Sequence, residues 1–478
     1  MKVSAIRTEL RFTTERQMLN QSQASEIFER IKKYSTADQV EVLFSGGKTA
    51  LTRFANNTIH QNVAEENYVV SVRTGFGKRT ARSTTNKLDD QSLKKVVQSS
   101  ESLAKVQHPD TDLLPVPDPP SADTSGPALP SRHFAETAAI TPAQRAETVK
   151  KIVSTAEKHK LTTAGIVSKA ETVEGIFNSR GLADWHRQTS SEISITMLAA
   201  DSSGWQKANS PNVANLDPAA LAETASRKAF ESAAPREIPA GKYTVILEPA
   251  AVLDIVGFMF FDFGGLSILD QRSFLNNRVG SKLFGENINI WDDVAHPLQS
   301  GVPFDGEGVH RQKVQLVENG VVKRLVYARA TAEKMKRSEF ADKVGPVAPT
   351  GHGFPMPNEM GEAPMNIVFG TSPNPMSVEQ MIASTERGVL VTRLWYIREV
   401  DPYEKILTGM TRDGTFYVED GKVRYGVRNF RFNESLIQML SNVEAMGIPV
   451  RASGEESFDM VVPPMKVRDF NFTEVTKF

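Results

Sequence analysis

The chain of 478 residues contains no cysteine. That excludes a disulfide framework and any thiolate-bound metal centre, and it suits a reducing compartment, so the cytoplasm is the expected location. Histidine is absent from one long interval: none of the eight lies between His186 and His296. Long apolar runs are also lacking. The most apolar stretch, Pro249 to Phe263, is interrupted by Asp254 and Asp262, falls short of the roughly 20 residues that cross a bilayer, and reads as a buried helix. The opening MKVSAIRTELRF carries charges where a signal peptide needs an unbroken apolar core of about 7 to 15 residues. Neither sign of charge dominates. Lys and Arg number 56 against 57 Asp and Glu, a net charge of −1, so no global field draws the chain to a membrane surface or to nucleic acid. The patterns GxxxxGK[ST], GxGxxG and GxSxG do not occur, which removes the usual marks of nucleotide binding and serine-hydrolase chemistry.

What is present is a globular composition, 40% apolar, in a length that suits two to four domains. Gln17 to Tyr34 has helical spacing of Leu19, Ala24, Ile27, Phe28 and Ile31. Strands are predicted at Gln39 to Phe44, Ala50 to Phe54 and Tyr68 to Arg73, with Gly46-Gly47 as a tight turn between the first two. A second helix opens at Asp89 or Asp90 and runs to Val106. The stretch 109–137 is a proline-rich linker, with seven prolines from Pro109 to Pro130 favouring extended, solvated backbone. Thr141-Pro142 with Gln144 forms a capping box that starts another helix. Strands resume from Gly165, and Asp217-Pro218 begins a helix ending near Ser232. The segments Phe54 to Val72 and Phe177 to Ile195 echo each other faintly, a pattern that shared β-α grammar favours and for which a true duplication is the alternative. Beyond Pro235, Asn319-Gly320 and Asp420-Gly421 mark type I′ hairpins, Ser377 and Gln380 cap a helix, and another helix is expected over Asn433 to Glu444. The predicted fold is α+β. An α/β N-terminal half with antiparallel strands comprises subdomains 1–108 and 138–234, and a β-rich domain with packed helices spans 235–478.

A hydrolytic zinc site needs about three protein ligands, with histidines on neighbouring helical turns and a glutamate as base. The closest histidines here, His296 and His310, are fourteen residues apart. Asp292, Asp293, His296, Asp305, Glu307 and His310 form the densest polar constellation, and carboxylates with imidazoles can hold a divalent cation. The interleaved Pro297, Gly301, Pro303, Gly306 and Gly308 favour the blander reading, in which the acids cap turns. Thr350-Gly-His-Gly353 lets backbone amides approach a peptide or anion, although an ordinary surface loop has the same look. Lys334, Lys336 and Arg337 read as a solvated helix face.

Several phrases, in order, resemble one family. Arg53-Phe-Ala-Asn-Asn57 with Ile59-His60-Gln61 is similar to the N-terminal strands of the TldD/PmbA family, the modulators of DNA gyrase. Gly308-Val309 leading to Leu316-Val-Glu-Asn-Gly320, the loop Thr350-Gly-His-Gly353, the Ser377 helix after an extended Asn366 to Gly370, and the ending Pro464 to Phe470 resemble it too. The resemblance implies dimers around an enclosed cavity where unfolded peptides are cut. In the family, TldD-type chains carry a His-Glu-x-x-x-His zinc helix and a C-terminal cysteine, and pair with TldE-type chains that lack them. Here the zinc-helix register falls near Val256, Gly257 and Phe261, read as core residues, and the cysteine register on Arg451 to Ser457. The resemblance therefore implies a TldE-like, non-catalytic subunit with no metal or cofactor of its own, zinc residing in a TldD-like partner. A stand-alone peptide-binding homodimer, or a hydrolase with a relocated metal site, are the alternatives. Asp305, Glu307, Gly308, Gly351, His352 and Gly353 are the expected peptide-binding residues, with exposed edges of the C-terminal sheet able to add peptide as a strand.

Overall fold

The computed structural model describes residues 18–120 and 128–476; the charged opening segment, and with it the signal-peptide reading, lies outside them, as do Gln17 and residues 121–127. Helix α1 (Gln21–Tyr34) starts where Asn20 accepts from the Gln23 amide and the Gln23 side chain returns the bond, satisfying two amides that a helix end leaves open. Its buried face is the apolar stripe Ala24, Ile27, Phe28 and Ile31. Three strands follow, β1 (Gln39–Ala55), β2 (Thr58–Phe76) and β3 (Arg79–Thr85), then α2 (Asp90–Val106), capped by Asp89. After a short α3 (Ala135–Ala138) the same order recurs as α4 (Pro142–Lys158), β4 (Thr162–Asn178), β5 (Ala183–Leu198), β6 (Ser203–Ser210) and α5 (Pro218–Glu231).

Both runs build one six-stranded antiparallel sheet, ordered β3-β2-β1-β4-β5-β6, with β1 and β4, each 17 residues long, side by side at its centre. The echo between Phe54–Val72 and Phe177–Ile195 thus has a structural counterpart. The helices cover one face through two apolar clusters, one around Phe28, Phe44 and Phe177, the other around Ile152, Ile193 and Ala225. The opposite face turns to the C-terminal half, where Arg82 Nε donates to the Met356 carbonyl and Asp184 meets His310.

Two expectations fail here for physical reasons. Gly46-Gly47 is no turn but the middle of β1, at φ 127° and 149°; a Cβ on Gly46 would lie 2.2 Å from the Asn67 carbonyl oxygen, and one on Gly47 2.1 Å from that of Glu171. Glycine supplies unusual φ and close backbone approach in strands as well as turns. The turn itself is Asn56-Asn57, at φ 50° and 60°. The proline-rich stretch is extended but not solvated throughout. Leu113 and Val116 are buried, Val116 N donates to Gln39 Oε1, Asn178 Nδ2 donates to the Pro117 carbonyl, and Asp112 pairs with Lys334 and Arg337 on the solvent-exposed face of their helix.

The second half runs β7 (Gly241–Leu247), α6 (Pro249–Val256), a 3-10 helix (Gly257–Phe263) and α7 (Gly265–Leu269). Then come β8 (Ile290–Asp292), β9 (Val314–Glu318), β10 (Val321–Val322), α8 (Arg329–Lys336), β11 (Ile367–Phe369), α9 (Val378–Ala383), β12 (Arg387–Asp401), β13 (Ile406–Glu419) and β14 (Lys422–Gly426). Last are β15 (Phe430–Ser435), α10 (Leu436–Ser441), β16 (Val443–Met446), β17 (Val450–Ala452), β18 (Met460–Val462) and β19 (Met465–Val475). The hairpins at Asn319-Gly320 and Asp420-Gly421 have left-handed φ at both turn residues, and Ser377 and Gln380 form their box. The helix expected over Asn433 to Glu444 is instead strand, six-residue helix and strand.

Strands β12, β7, β19, β15 and β13 pair in that order, and β12 pairs again with β13, so the sheet closes into a barrel. Phe430 stacks on Phe472 at 4.5 Å in its core, each fully buried ring stabilising by about 1.5–3 kcal/mol. Closure removes free edges from the five ring strands, leaving β14 and β16 outside it. A second sheet, β10-β9-β8-β11-β18-β17, packs alongside. Among the described residues no helix is long and apolar enough to cross a membrane.

Candidate functional site

The apolar segment Pro249 to Phe263 ends its α-helix at Val256 and tightens into 3-10 geometry. Val256 and Gly257 are buried, whereas Phe261 is 43% exposed and stacks on Phe354 at 6.3 Å, so this residue is not core as expected. The segment lies against the loop joining β17 to β18. A Cβ on Gly257 would stand 1.9 Å from Ser457 Oγ and 2.4 Å from Ser457 Cβ. Asp254, the acid that interrupts the apolar run, is fully buried and ties this contact down: its Oδ1 accepts from the Glu455 and Glu456 amides at 3.1 Å, its Oδ2 from Leu394 N at 3.3 Å. Burial pushes the Asp254 carboxyl up to about 7 against these amides. Asp262, the second interruption, makes a buried pair with Lys405 at 2.5 Å.

The predicted peptide-binding residues gather in a second place, between the turn at 305–309 and the loop at 350–354. Asp305 Oδ1 accepts from the Glu307 and Val309 amides at 2.9 Å, and its Oδ2 from Gly353 N at 2.7 Å. Glu307 Oε2 accepts from Arg329 N at 2.8 Å, at the start of α8. Burial raises both carboxyls, and the neighbouring Asp305 charge adds to the rise of Glu307, to about 7. Gly308 and Gly351 take left-handed φ, 83° and 76°, and Gly353 passes directly over both acids. His352 is buried, with Nε2 3.1 Å from Asp292 Oδ1 off the line of a hydrogen bond and Nδ1 3.0 Å from Thr350 Oγ1. Asp292 Oδ2 accepts from Met365 N and Asn366 N at 2.7 and 2.8 Å. Burial acts to raise Asp292, but His352, Arg311 and the Asn366 amide outweigh it and hold the carboxyl at about 2. These acids face inward, to backbone.

The remaining members of the polar constellation go elsewhere. Asp293 pairs with Lys313 at 2.9 Å, His296 Nδ1 accepts from Leu298 N, and His310 meets Asp184 at 3.0 Å. Among the described residues no three His, Asp or Glu converge as a metal site.

Residues 240–474 match the PmbA/TldA metallopeptidase C-terminal domain, 136–233 the central domain and 40–104 domain 1. The chain belongs to the PmbA/TldD metallopeptidase family. It is 20% identical over 400 residues to Metalloprotease PmbA of Escherichia coli O157:H7, covering 81% of this chain and 83% of that one. It is 23% identical to a metalloprotease of Methanothermobacter thermautotrophicus, covering 61% of this chain and 65% of the relative, and the match to the uncharacterized protein MJ0231 of Methanocaldococcus jannaschii spans 41% of that protein. In fold it is similar to a putative modulator of DNA gyrase from Thermotoga maritima, with TM-score 0.82, 19% identity, and 94% of this chain and all of the other covered. TldE from Thermococcus kodakarensis superposes with TM-score 0.80 at 19% identity and the same coverage.

The donor set does not fit the zinc that a PmbA/TldD metallopeptidase implies. Val256, Gly257, Phe260 and Phe261 offer no ligand or base, and Ser457 fills the space beside Gly257 that a side chain would need. Sequence reasoning passed over Asp254 as an interruption of an apolar run; a lone acid inside such a run is itself a signal of a buried anchor. It also missed a groove in the barrel wall around Trp395, Asn429 and Arg431, whose residues come from separate strands and carry no joint motif.

Proposed function

We propose that the chain is the non-catalytic subunit of a TldD/TldE-type zinc metalloprotease that processes unfolded peptides, forming part of the dimer and its peptide cavity. One observation carries this: the zinc-helix register is packed shut, Gly257 against Ser457, with Asp254 pinning the loop. A side chain large enough to ligate at Gly257 would displace that loop. The fold similarity to TldE supports the same reading. Zinc and the hydrolytic step belong to a TldD-like partner. The role of this chain is to hold extended peptide, with the 305–309 and 350–354 loops as a rigid wall in which Asp305 fixes the Gly353 amide. The cytoplasm suits its cysteine-free composition.

The test is metal content and cleavage of an unfolded peptide by the chain alone, by a His-Glu-x-x-x-His partner alone, and by both together. No stoichiometric zinc in this chain and cleavage that rises only on mixing are expected. Chelator-sensitive cleavage by the chain alone would overturn the reading in favour of a relocated metal site.

A further inference from the structure

The barrel wall has a break that neither loop cluster uses. Between β14 and β15, Arg428 and Asn429 leave the ladder, after Val427 N has donated to the Thr415 carbonyl at 2.9 Å, and side chains bond β13 beyond that point. The Thr411 and Thr415 hydroxyls both donate to Asn429 Oδ1, at 3.3 and 3.1 Å, and Phe430 N donates to Thr411 Oγ1 at 3.0 Å. Asp413 and Gly414 pass through left-handed backbone at φ 53° and 122°. Two cavities open along this break and share Ser203, Asp413 and Asn429: one of about 530 Å³ bounded by Trp395, Met410, Arg412 and Arg431, and one of about 730 Å³ beside Gly414 and Thr415.

The polar groups of the smaller cavity are unequally matched. Asp413 is neutralised, by two bonds from Arg393, by Ser203 Oγ at 2.6 Å and by Arg412 Nε at 3.5 Å. Arg412 also stacks on Trp395 at 4.7 Å. Arg431 is half-buried, yet among the described residues its side chain makes no hydrogen bond or ion pair, not even with Glu474, its neighbour across the β15–β19 pairing. The Asn429 amide is oriented by its two hydroxyl donors, which leaves Nδ2 uncommitted. Asp201, in the larger cavity, is already bonded to Ala234 N at 3.1 Å. The wall therefore presents surplus donors, Arg431 above all, over an apolar floor of Trp395 and Met410. A planar acceptor with two oxygens meets that demand, because guanidinium binds carboxylate through paired, charge-assisted hydrogen bonds.

We propose that this groove binds a carboxylate carried on an extended peptide, with Arg431 as the principal partner and the larger cavity receiving the residues that lead to it. The proposal rests on the peptide-handling reading only in choosing a peptide as the bearer. A terminal carboxylate and an acidic side chain share this chemistry, and the test separates them. Titration calorimetry on the whole chain alone uses three short peptides of one sequence. The first lacks Asp and Glu and has a free C-terminus, the second is its C-terminal amide, and the third is the amide with one internal Glu. At least one carboxylate-bearing peptide is expected to bind about tenfold or more tighter than the acid-free amide, and the tighter one names the source. Arg431→Gln removes the preference without moving the thermal midpoint, and Arg431→Lys retains part of it; should R431Q fail to fold, Arg412→Gln reduces the preference in its place. Equal affinity for all three peptides, binding of none, or a preference that survives both variants would overturn the proposal. Cleavage with a zinc-bearing partner is a separate assay, so either reading can fail while the other stands.

Discussion

The contact of Gly257 with Ser457 and the loop pair around Asp305 and His352 close off their surroundings in opposite ways. The first is closed by shape: a residue without a side chain faces a small one, and nothing larger fits. The second is closed by charge satisfaction: Asp305, Glu307 and Asp292 spend their oxygens on backbone amides. Shape exclusion costs little until a side chain is added, whereas a buried carboxylate is expensive the moment a partner is removed. Metal chemistry needs an open coordination position and uncommitted ligands, and neither region supplies them.

The comparison breaks most forcefully at Asp292. Asp292→Ala leaves the Met365 and Asn366 amides without their acceptor and removes the carboxylate beside His352, and a loss of about 3–5 kcal/mol is expected in urea unfolding; a loss below about 1 kcal/mol would show that charge satisfaction does not hold this region. Gly257→Ala comes next, at about 1–3 kcal/mol from overpacking. Ser457→Gly combined with it should recover part of that, a coupling of about 0.5–3 kcal/mol in a double-mutant cycle, while additive effects would mean that Ser457 is not the obstacle.

The pH dependences should oppose each other. Asp254 is raised from 3.8 to about 7, so the folded state binds the extra proton and stability from this group falls as pH rises between those values, by about 1 kcal/mol per pH unit. Asp254→Asn should flatten that slope in urea midpoints taken from pH 4 to 8. Asp292, lowered to about 2, contributes stability that is present above pH 3.8 and lost as pH falls towards 2. The smallest effect belongs to Phe261→Ala, about 1 kcal/mol or less, since only an exposed stacking contact with Phe354 is lost; a larger drop in the thermal midpoint would place Phe261 in the core after all.

Much of the local structure was legible. The capping boxes at Thr141 and Ser377 and the hairpins at Asn319-Gly320 and Asp420-Gly421 carry their signals within four residues, because a cap or a type I′ turn is a contact between near neighbours. Gly46-Gly47 misled because left-handed freedom serves a strand crossing as well as a turn. The helix expected over Asn433 to Glu444 is cut to Leu436–Ser441 because pairing of β15 with β13 and of β16 with β19 claims both ends for strands. For the candidate site, the sequence marked both sides of the Gly257–Ser457 contact but not that they touch.

By itself, then, the sequence determined that there is no cysteine and that residues 256–261, where the resemblance puts the zinc helix, carry no histidine or acid; that is a matter of chemistry written residue by residue. Only the tertiary structure decided that Gly257 meets Ser457, that Asp254 anchors the loop carrying Ser457, that five strands close into a barrel, and that the Arg431 side chain is left without an acceptor among the described residues. Each of these depends on packing between segments far apart in sequence, 202 residues in the case of Asp254 and Glu456, where shape and desolvation choose among contacts that no local pattern encodes.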